Sequence, residues 1–256
     1  MTTPLVSVVM ACYNAEKTLM VAIDSILNQT LHNLEFIIVN DGSTDQTTNI
    51  LNRYANMDRR ILVIRNPKNR GQSWCRNRAV ERARGRYIAS MDADDYSFPE
   101  RLARQVRFMD ACPNIDVLGT AAELVGTTGQ PIGILVLPAE HAQIVAQRYI
   151  KPLLIHPTVL FRADFFNRFG LYNESLRSGE DLDLWLRARH SATYRNLPDV
   201  LLRYTYKPKK PVRAYLGDLG VQYRHIRSSG ELFSKGYELV YFALRYVWVH
   251  LTNRKR

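Results

Sequence analysis

Tyr87-Ile88-Ala89-Ser90-Met91-Asp92-Ala93-Asp94-Asp95 joins a short apolar run to three aspartates within four positions. Aspartate is a poor strand residue, and like charges this close repel unless something neutralises them. The run reads as a strand that stops where the acids begin. The acids read as a place for a cation, or for a charged ligand together with a cation.

The same pattern recurs upstream. Residues 5–10, 34–39 and 61–64 are short apolar runs rich in β-branched residues, and 87–91 makes a fourth. Between them lie helical spacings: Leu19, Ala22, Ile23, Ile26 and Leu27; then Ile50, Leu51 and Tyr54 behind a Thr44-Asp45 cap; then residues 72–83. Nearly continuous apolar strands alternating with helices predict a parallel sheet covered on both faces. In such sheets ligands sit beyond the carboxyl ends of the strands. The residues there are Tyr13-Asn14, Asn40-Asp41-Gly42-Ser43, the loop 66–71, and Asp92, Asp94 and Asp95. Any one of these loops could be polar merely because it is a loop, but four together carry an acid-rich set. Neither G-x-G-x-x-G nor G-x-x-x-x-G-K-[ST] occurs, so no glycine-rich cradle holds phosphates. A diphosphate would need a hard divalent cation instead, and the aspartates supply the oxygen ligands for one.

The second half is less regular. Residues 131–138 read as a strand, 141–149 as a short helix and 152–161 as a turn and a strand. Leu182, Trp185, Leu186 and Ala188 then give a helical apolar face. Glu180 and Asp181 fall in that helix's first turn, where the macrodipole by itself favours carboxylates. His156 precedes a proline at the end of an apolar stretch, a place more typical of a packed turn residue than of a ligand.

Composition bounds the rest. The chain has 256 residues, 46% hydrophobic and 23% charged, which is ordinary for a globular protein with a buried core. Its net charge of +11 is unevenly spread. Residues 203–256 carry 12 Lys/Arg against 3 Asp/Glu, so the preceding 202 residues are nearly neutral. That excludes a nucleic-acid stripe along the whole fold and points to a tail that meets an anionic surface. Residues 238–251 are apolar and aromatic, too short to span a bilayer, and followed by Arg254-Lys255-Arg256. They fit a membrane interface or a helix packed on the core. Lys207-Pro208-Lys209-Lys210-Pro211-Val212-Arg213 reads as an exposed basic linker. Three cysteines at unrelated spacings suggest neither a disulfide framework nor a zinc site. The first residues lack the basic start of a signal peptide, so the expected location is cytoplasmic, peripheral on the inner face of the cell membrane if the tail binds lipid.

Taken in order, seven segments carry a resemblance. They are Val6-Ser7-Val8-Val9-Met10-Ala11-Cys12-Tyr13-Asn14, Val39-Asn40-Asp41-Gly42-Ser43-Thr44-Asp45, Asn69-Arg70-Gly71 with Arg76-Asn77, and Met91-Asp92-Ala93-Asp94-Asp95. Pro99-Glu100-Arg101-Leu102, His156-Pro157 and Gly179-Glu180-Asp181-Leu182-Asp183-Leu184-Trp185 complete the set. Between about residue 5 and about residue 205 the chain resembles the glycosyltransferase family 2 enzymes of the GT-A fold, inverting transferases with nucleotide-sugar donors. The resemblance implies an α/β fold with a mostly parallel, Rossmann-like sheet flanked by helices. A GT-A domain would cover 1–205, with 1–97 holding the donor and 98–205 the acceptor side, and a helical tail would cover 206–256.

The resemblance also implies roles. Tyr13, followed by Asn14, would lie on the base near Ala11, where many relatives have Thr or Ser. Asp41 would bond the base or ribose, and the Arg70 to Arg76 segment would border the diphosphate. Asp92 and Asp94 look like the family's DXD pair, with Asp95 beside them, holding Mg2+ or Mn2+. Asp181 looks like the catalytic base with Glu180 next to it, Trp185 would line the acceptor pocket, and His156 is a candidate near the donor. The expected partners are a nucleotide sugar, most simply a UDP-sugar, and a saccharide or lipid-linked saccharide acceptor, with no nucleic acid. Displacing a diphosphate from an anomeric carbon needs a cation at the leaving group and a carboxylate on the opposite face. The chain has one acidic group at 92–95 and another at 180–181. A polyprenyl-phosphate sugar synthase is the alternative enzyme, and its phosphate acceptor would need little base catalysis. A non-catalytic basic membrane-binding module is the alternative outside enzymes, and the intact acids argue against it.

Overall fold

The computed structural model describes residues 3–146, 153–207 and 212–228. The first hundred residues alternate as the sequence predicts: β1 (Val6–Cys12), α1 (Leu19–Leu27), β2 (Leu34–Asn40), α2 (Thr47–Met57), β3 (Ile61–Arg65), α3 (Gln72–Arg82) and β4 (Tyr87–Asp92). Next come β5 (Tyr96–Ser97), α4 (Arg101–Ala111), β6 (Val117–Val125), β7 (Pro131–Leu135) and α5 (His141–Ala146). A 3-10 turn (His156–Thr158) leads to β8 (Leu160–Arg162), α6 (Asp164–Phe169), α7 (Glu180–Ala188), β9 (Tyr194–Thr205) and α8 (Val212–Ser228).

A single sheet in the order β3-β2-β1-β4-β8-β6-β9-β5, with β7 paired to β6, runs through both halves of the chain. The β1–β2, β2–β3 and β1–β4 pairs are parallel, whereas β4–β8 and β6–β8 are antiparallel. Alternation along the buried strands divides the core into two layers. Val8, Met10, Phe36 and Ile38 face Leu19, Ile23 and Ile26 of α1 and Leu102 and Met109 of α4. Val9, Ile37, Val39 and Ile88 face Cys75 and Ala79 of α3 and Leu184 and Trp185 of α7. Because both faces are covered there, β1, β2 and β4 bury nearly every residue, and the polar groups needed for chemistry lie at their ends.

Some boundaries differ from expectation. The 131–138 strand stops at Leu135, whereas the 152–161 stretch is a turn and a strand as expected, the strand beginning only at Leu160. In α7 the buried face includes Asp183 where Leu182 was expected. Burial pushes the Asp183 carboxyl up, but hydrogen bonds from His225 of α8 and Arg187 outweigh it and keep its pKa below the usual range. α8 also places Val221 and Ile226 against Leu186. No described helix is long and apolar enough to cross a membrane. The 238–251 segment lies outside the described residues, as do positions 208–211 of the expected linker.

Candidate active site

Register brings the strand ends together. Ala11 pairs with Asp92 and Cys12 with Asn40, so Tyr13, Asp41 and the acid cluster emerge side by side. A cleft of about 890 Å3 opens there, bordered by Tyr13, Asp41, Arg70 and Glu180. Tyr13 stands at 49% exposure beside it, an aromatic face open to a ligand. Asp41 is buried and holds the loop after β3: its Oδ1 accepts from Asn66 Nδ2 (2.8 Å) and Arg70 N (2.9 Å), and its Oδ2 from Gly71 N (2.8 Å). Gly42, at φ 71°, lets that loop lie close, since a Cβ here would be 2.7 Å from the carbonyl carbon of Lys68. Asn14, at φ 48°, does not line the cleft. Its N–H donates to Ser43 Oγ (3.0 Å) and its Oδ1 accepts from Thr44 N (2.9 Å), stitching the first two loops together. The Arg70 guanidinium stacks 4.9 Å from the centre of the Trp74 ring.

Arg76 is the hub. Burial of its side chain, at 5% exposure, leaves the guanidinium two carboxylate partners: Nη2 donates to Asp92 Oδ1 (3.0 Å) and Nη1 to Glu180 Oε1 (2.8 Å). Burial alone would push the guanidinium's pKa down, but Asp92 and Glu180 outweigh it and hold it above the usual arginine value. One side chain on α3 therefore ties the end of β4 to the first turn of α7. Asp181, the next residue on α7, accepts the Leu182 N–H at 2.8 Å through Oδ1.

The three aspartates of the cluster differ. Burial pushes Asp92 up and Asp94 adds to this, although Arg76 opposes both. Burial pushes Asp95 well up, with Asp92 and Asp94 adding to it; Thr205 N donates to its Oδ1 (2.8 Å), while its buried Oδ2 has no hydrogen-bond partner. Asp94 Oδ2 lies 2.6 Å from Lys207 Nζ. Beneath them Arg101, with no exposed surface, donates to the Ser90 carbonyl at 2.8 Å, and burial brings its pKa down to about 10. Among the described residues no three His, Cys, Asp or Glu side chains converge on one point. The donor set still fits Mg2+ or Mn2+, because such ions are held by one or two carboxylates together with substrate phosphates. Hard oxygens, mutual repulsion and the unpartnered Asp95 oxygen all suit a divalent ion.

His156 and Trp185 lie behind the cleft. His156 is 6% exposed, with Nδ1 3.1 Å from Ser90 Oγ and Nε2 2.9 Å from Tyr172 Oη. Trp185, expected to line the acceptor pocket, instead stacks on Phe161 at 5.5 Å and is 2% exposed. The reason is helical phase: position 185 faces inward with Leu184 and Ala188. Burial, then the Arg76 charge, hold the His156 pKa well below its ordinary value, so the imidazole stays neutral in the fold. The unfolded chain's histidine takes up a proton near pH 6.5 while the folded one resists it, so this group's contribution to stability falls as pH drops through that value. We expect His156→Gln to remove about 1 kcal/mol of the stability lost between pH 7.0 and 5.5. Denaturant unfolding of both proteins at the two pH values would read this; equal losses would rule it out.

Sequence reading alone missed Glu174, Arg177 and Ser178 on the far wall of the cleft, and Lys207 at the cluster. The first three lie in a loop with no periodicity. Lys207 is brought in only by the length of β9.

The family model described as Glycosyl transferase family 2 matches residues 7–170. A relative named an uncharacterized glycosyltransferase MJ1057, from Methanocaldococcus jannaschii, is 34% identical over 78% of this chain and 70% of its own length. The O-antigen biosynthesis glycosyltransferase WbnJ of Escherichia coli is 33% identical over 83% of this chain and 84% of its own. The chain spans 65% to 70% of the length of the first relatives it matches. The crystal structure of S. aureus TarS 1-349 in complex with UDP superposes with a TM-score of 0.67 at 26% identity, over 86% of this chain and 65% of that one. With a family match along most of the length and a sheet that superposes on the TarS structure, the chain belongs to glycosyl transferase family 2 and is a glycosyltransferase of the GT-A fold.

Proposed function

We propose that this chain moves a sugar, with inversion, from a UDP-sugar to a hydroxyl of a glycan or lipid-linked saccharide in surface polysaccharide synthesis. The observation that carries the reading is the Arg76 bridge, which links the acids at the end of β4 to the start of α7 through one guanidinium. Donor and base ends of a displacement reaction need this kind of fixed separation. The TarS complex with UDP supports the nucleotide, and the name of WbnJ supports the pathway.

Each residue takes a role that its surroundings allow. Tyr13 offers its exposed ring to the base, and Asp41 has Oδ2 capacity left toward the cleft after holding the 66–71 loop. Arg70 borders the diphosphate. Asp92 and Asp94, with Asp95 behind them, would hold Mg2+ or Mn2+, which supplies counter-charge to the leaving diphosphate. Glu180 is committed to Arg76 and positions the helix. Asp181, one residue on, removes the acceptor hydroxyl's proton as attack proceeds on the face away from the diphosphate. His156 and Trp185 support the site from the core. The division at residues 205 and 206 belongs to the same reading: a catalytic body followed by a basic tail that keeps the enzyme on the inner face of the membrane. A chain ending after Ser228 should then stay in the supernatant of an anionic-vesicle pelleting assay in which the full chain pellets.

A panel of nucleotide sugars tests the donor, read as thermal stabilisation with Mn2+ present. One UDP-sugar should raise the melting temperature of the wild type, and EDTA should reduce the shift. Asp94→Ala should abolish it while leaving the unliganded melting temperature within about 2 °C, as expected for a partly exposed position. Undiminished donor stabilisation in Asp94→Ala would refute the assignment.

A further inference from the structure

The end of β9 is fastened to the acid cluster by groups of two kinds. Thr205 makes fixed bonds: its N–H donates to Asp95 Oδ1 at 2.8 Å, and its hydroxyl donates to the Asp94 carbonyl. Two residues on, Lys207 reaches back and sets Nζ 2.6 Å from Asp94 Oδ2, although its side chain is 67% exposed. The other two carboxylates have partners that cannot readily leave. Asp92 is held by Arg76, whose guanidinium is buried and also bound to Glu180, and Asp95 is held by a backbone N–H. Asp94 alone among the three is paired with a charge on a long, flexible, solvent-facing stem. An ammonium on such a stem is a compact point charge that can turn by several ångström without moving the backbone.

A divalent ion that takes Asp94 must therefore dislodge Lys207. A nucleoside diphosphate arriving with that ion gives the displaced ammonium new oxygens to bind. We infer that Lys207 is a resident cation of the donor site, seated on Asp94 while the site is empty and turning onto the donor's diphosphate when a divalent ion takes that carboxylate. This rests on the reading of the cluster as a nucleotide-sugar site. It adds a residue to the diphosphate's contacts and a cause for coupling. Metal alone binds weakly because it must break an ion pair; metal with diphosphate binds well because the lysine is re-paired. By linkage, each of the two ligands then strengthens the other by the same factor.

The experiment measures Mn2+ affinity of the full chain by electron paramagnetic resonance, with and without UDP, and UDP affinity by calorimetry at saturating Mn2+. Lys207→Met should bind Mn2+ alone about three- to fivefold more tightly, because the competitor is gone and an exposed pair is worth at most about a factor of five. It should bind UDP with Mn2+ about fivefold more weakly, so the mutual enhancement of the two ligands shrinks. Lys207→Arg, which keeps the charge, should stay near wild type in both. A melting temperature within about 1 °C of wild type shows that the Thr205 anchors are intact. If wild type binds both ligands and Lys207→Met matches it, the lysine is only a solvated ion pair and the inference fails. If wild type binds no UDP with Mn2+, the donor-site reading fails, and the inference falls with it.

Discussion

Asp181→Asn should lower the rate of transfer by about a thousandfold while leaving donor affinity within about twofold. A general base positioned on the reacting hydroxyl contributes roughly 10²–10⁴ in rate, and the donor contacts proposed above do not include Asp181. Asparagine keeps the Oδ1 acceptor that takes the Leu182 N–H at 2.8 Å, so the first turn of α7 retains its local bond. The melting temperature should therefore stay close to wild type. Glu180→Gln is the informative partner. Glutamine still offers an oxygen to Arg76 Nη1, now 2.8 Å from Glu180 Oε1, but without the charge. We expect it to lower stability modestly and the rate by less than Asp181→Asn does. Steady-state kinetics at saturating acceptor, together with donor titrations, separates the two. If Asp181→Asn keeps more than a tenth of the rate while Glu180→Gln loses it, the roles are reversed.

The parts of this site that were legible in the sequence are those fixed by local pattern. Four apolar runs ended in polar residues, and a parallel sheet with both faces buried leaves few other places for them. The register of β1 against β2 and β4 then brings Tyr13, Asp41 and Asp92 together without further information. Glu180 and Asp181 were visible because a helical apolar face followed them. Their connection to the acid cluster was not visible, since Arg76 lies 104 residues from Glu180 in sequence and its direction is set by packing. β9 was hidden for another reason. Its twelve residues include Pro198 and Asp199, and its pairing with β6 shifts register near Thr120 and Ala121, which breaks the alternation that marks a strand. The reach of that strand decides where Lys207 lies, so a residue that reads as linker becomes an acid's partner. Trp185 failed in the opposite way: its position in the motif was clear, but motif order carries no helical phase, and phase put the indole in the core.

Arg76→Met should destabilise the protein by about 3 kcal/mol, near the low end of what removing one partner of a buried ion pair costs. The discount from the upper end reflects the carboxylates it leaves behind, which keep 23% (Asp92) and 11% (Glu180) side-chain exposure and so partial access to water. Methionine roughly fills the apolar stem of the arginine, which limits any cavity contribution. What is lost is the cation between Glu180 and Asp92, the latter already crowded by Asp94. For a chain of this size, about 3 kcal/mol corresponds to a fall in melting temperature of roughly 6–12 °C. The sign of the pH dependence sets this apart from a simple packing defect. Burial and Asp94 already hold the Asp92 carboxyl above its ordinary range against the pull of Arg76, and without the guanidinium it rises further. The penalty is then fully present at high pH and is relieved as pH falls and Asp92 takes up a proton. The deficit of Arg76→Met relative to wild type should therefore shrink between pH 8 and pH 5, measured by denaturant unfolding at each pH. Arg76→Lys, a point charge able to serve one carboxylate at a time, should recover part of the stability but little of the transfer rate, because it cannot hold the end of β4 and the start of α7 together. A pH-independent deficit would mean that the arginine acts through packing, and the bridge between the two halves of the site would lose its electrostatic basis.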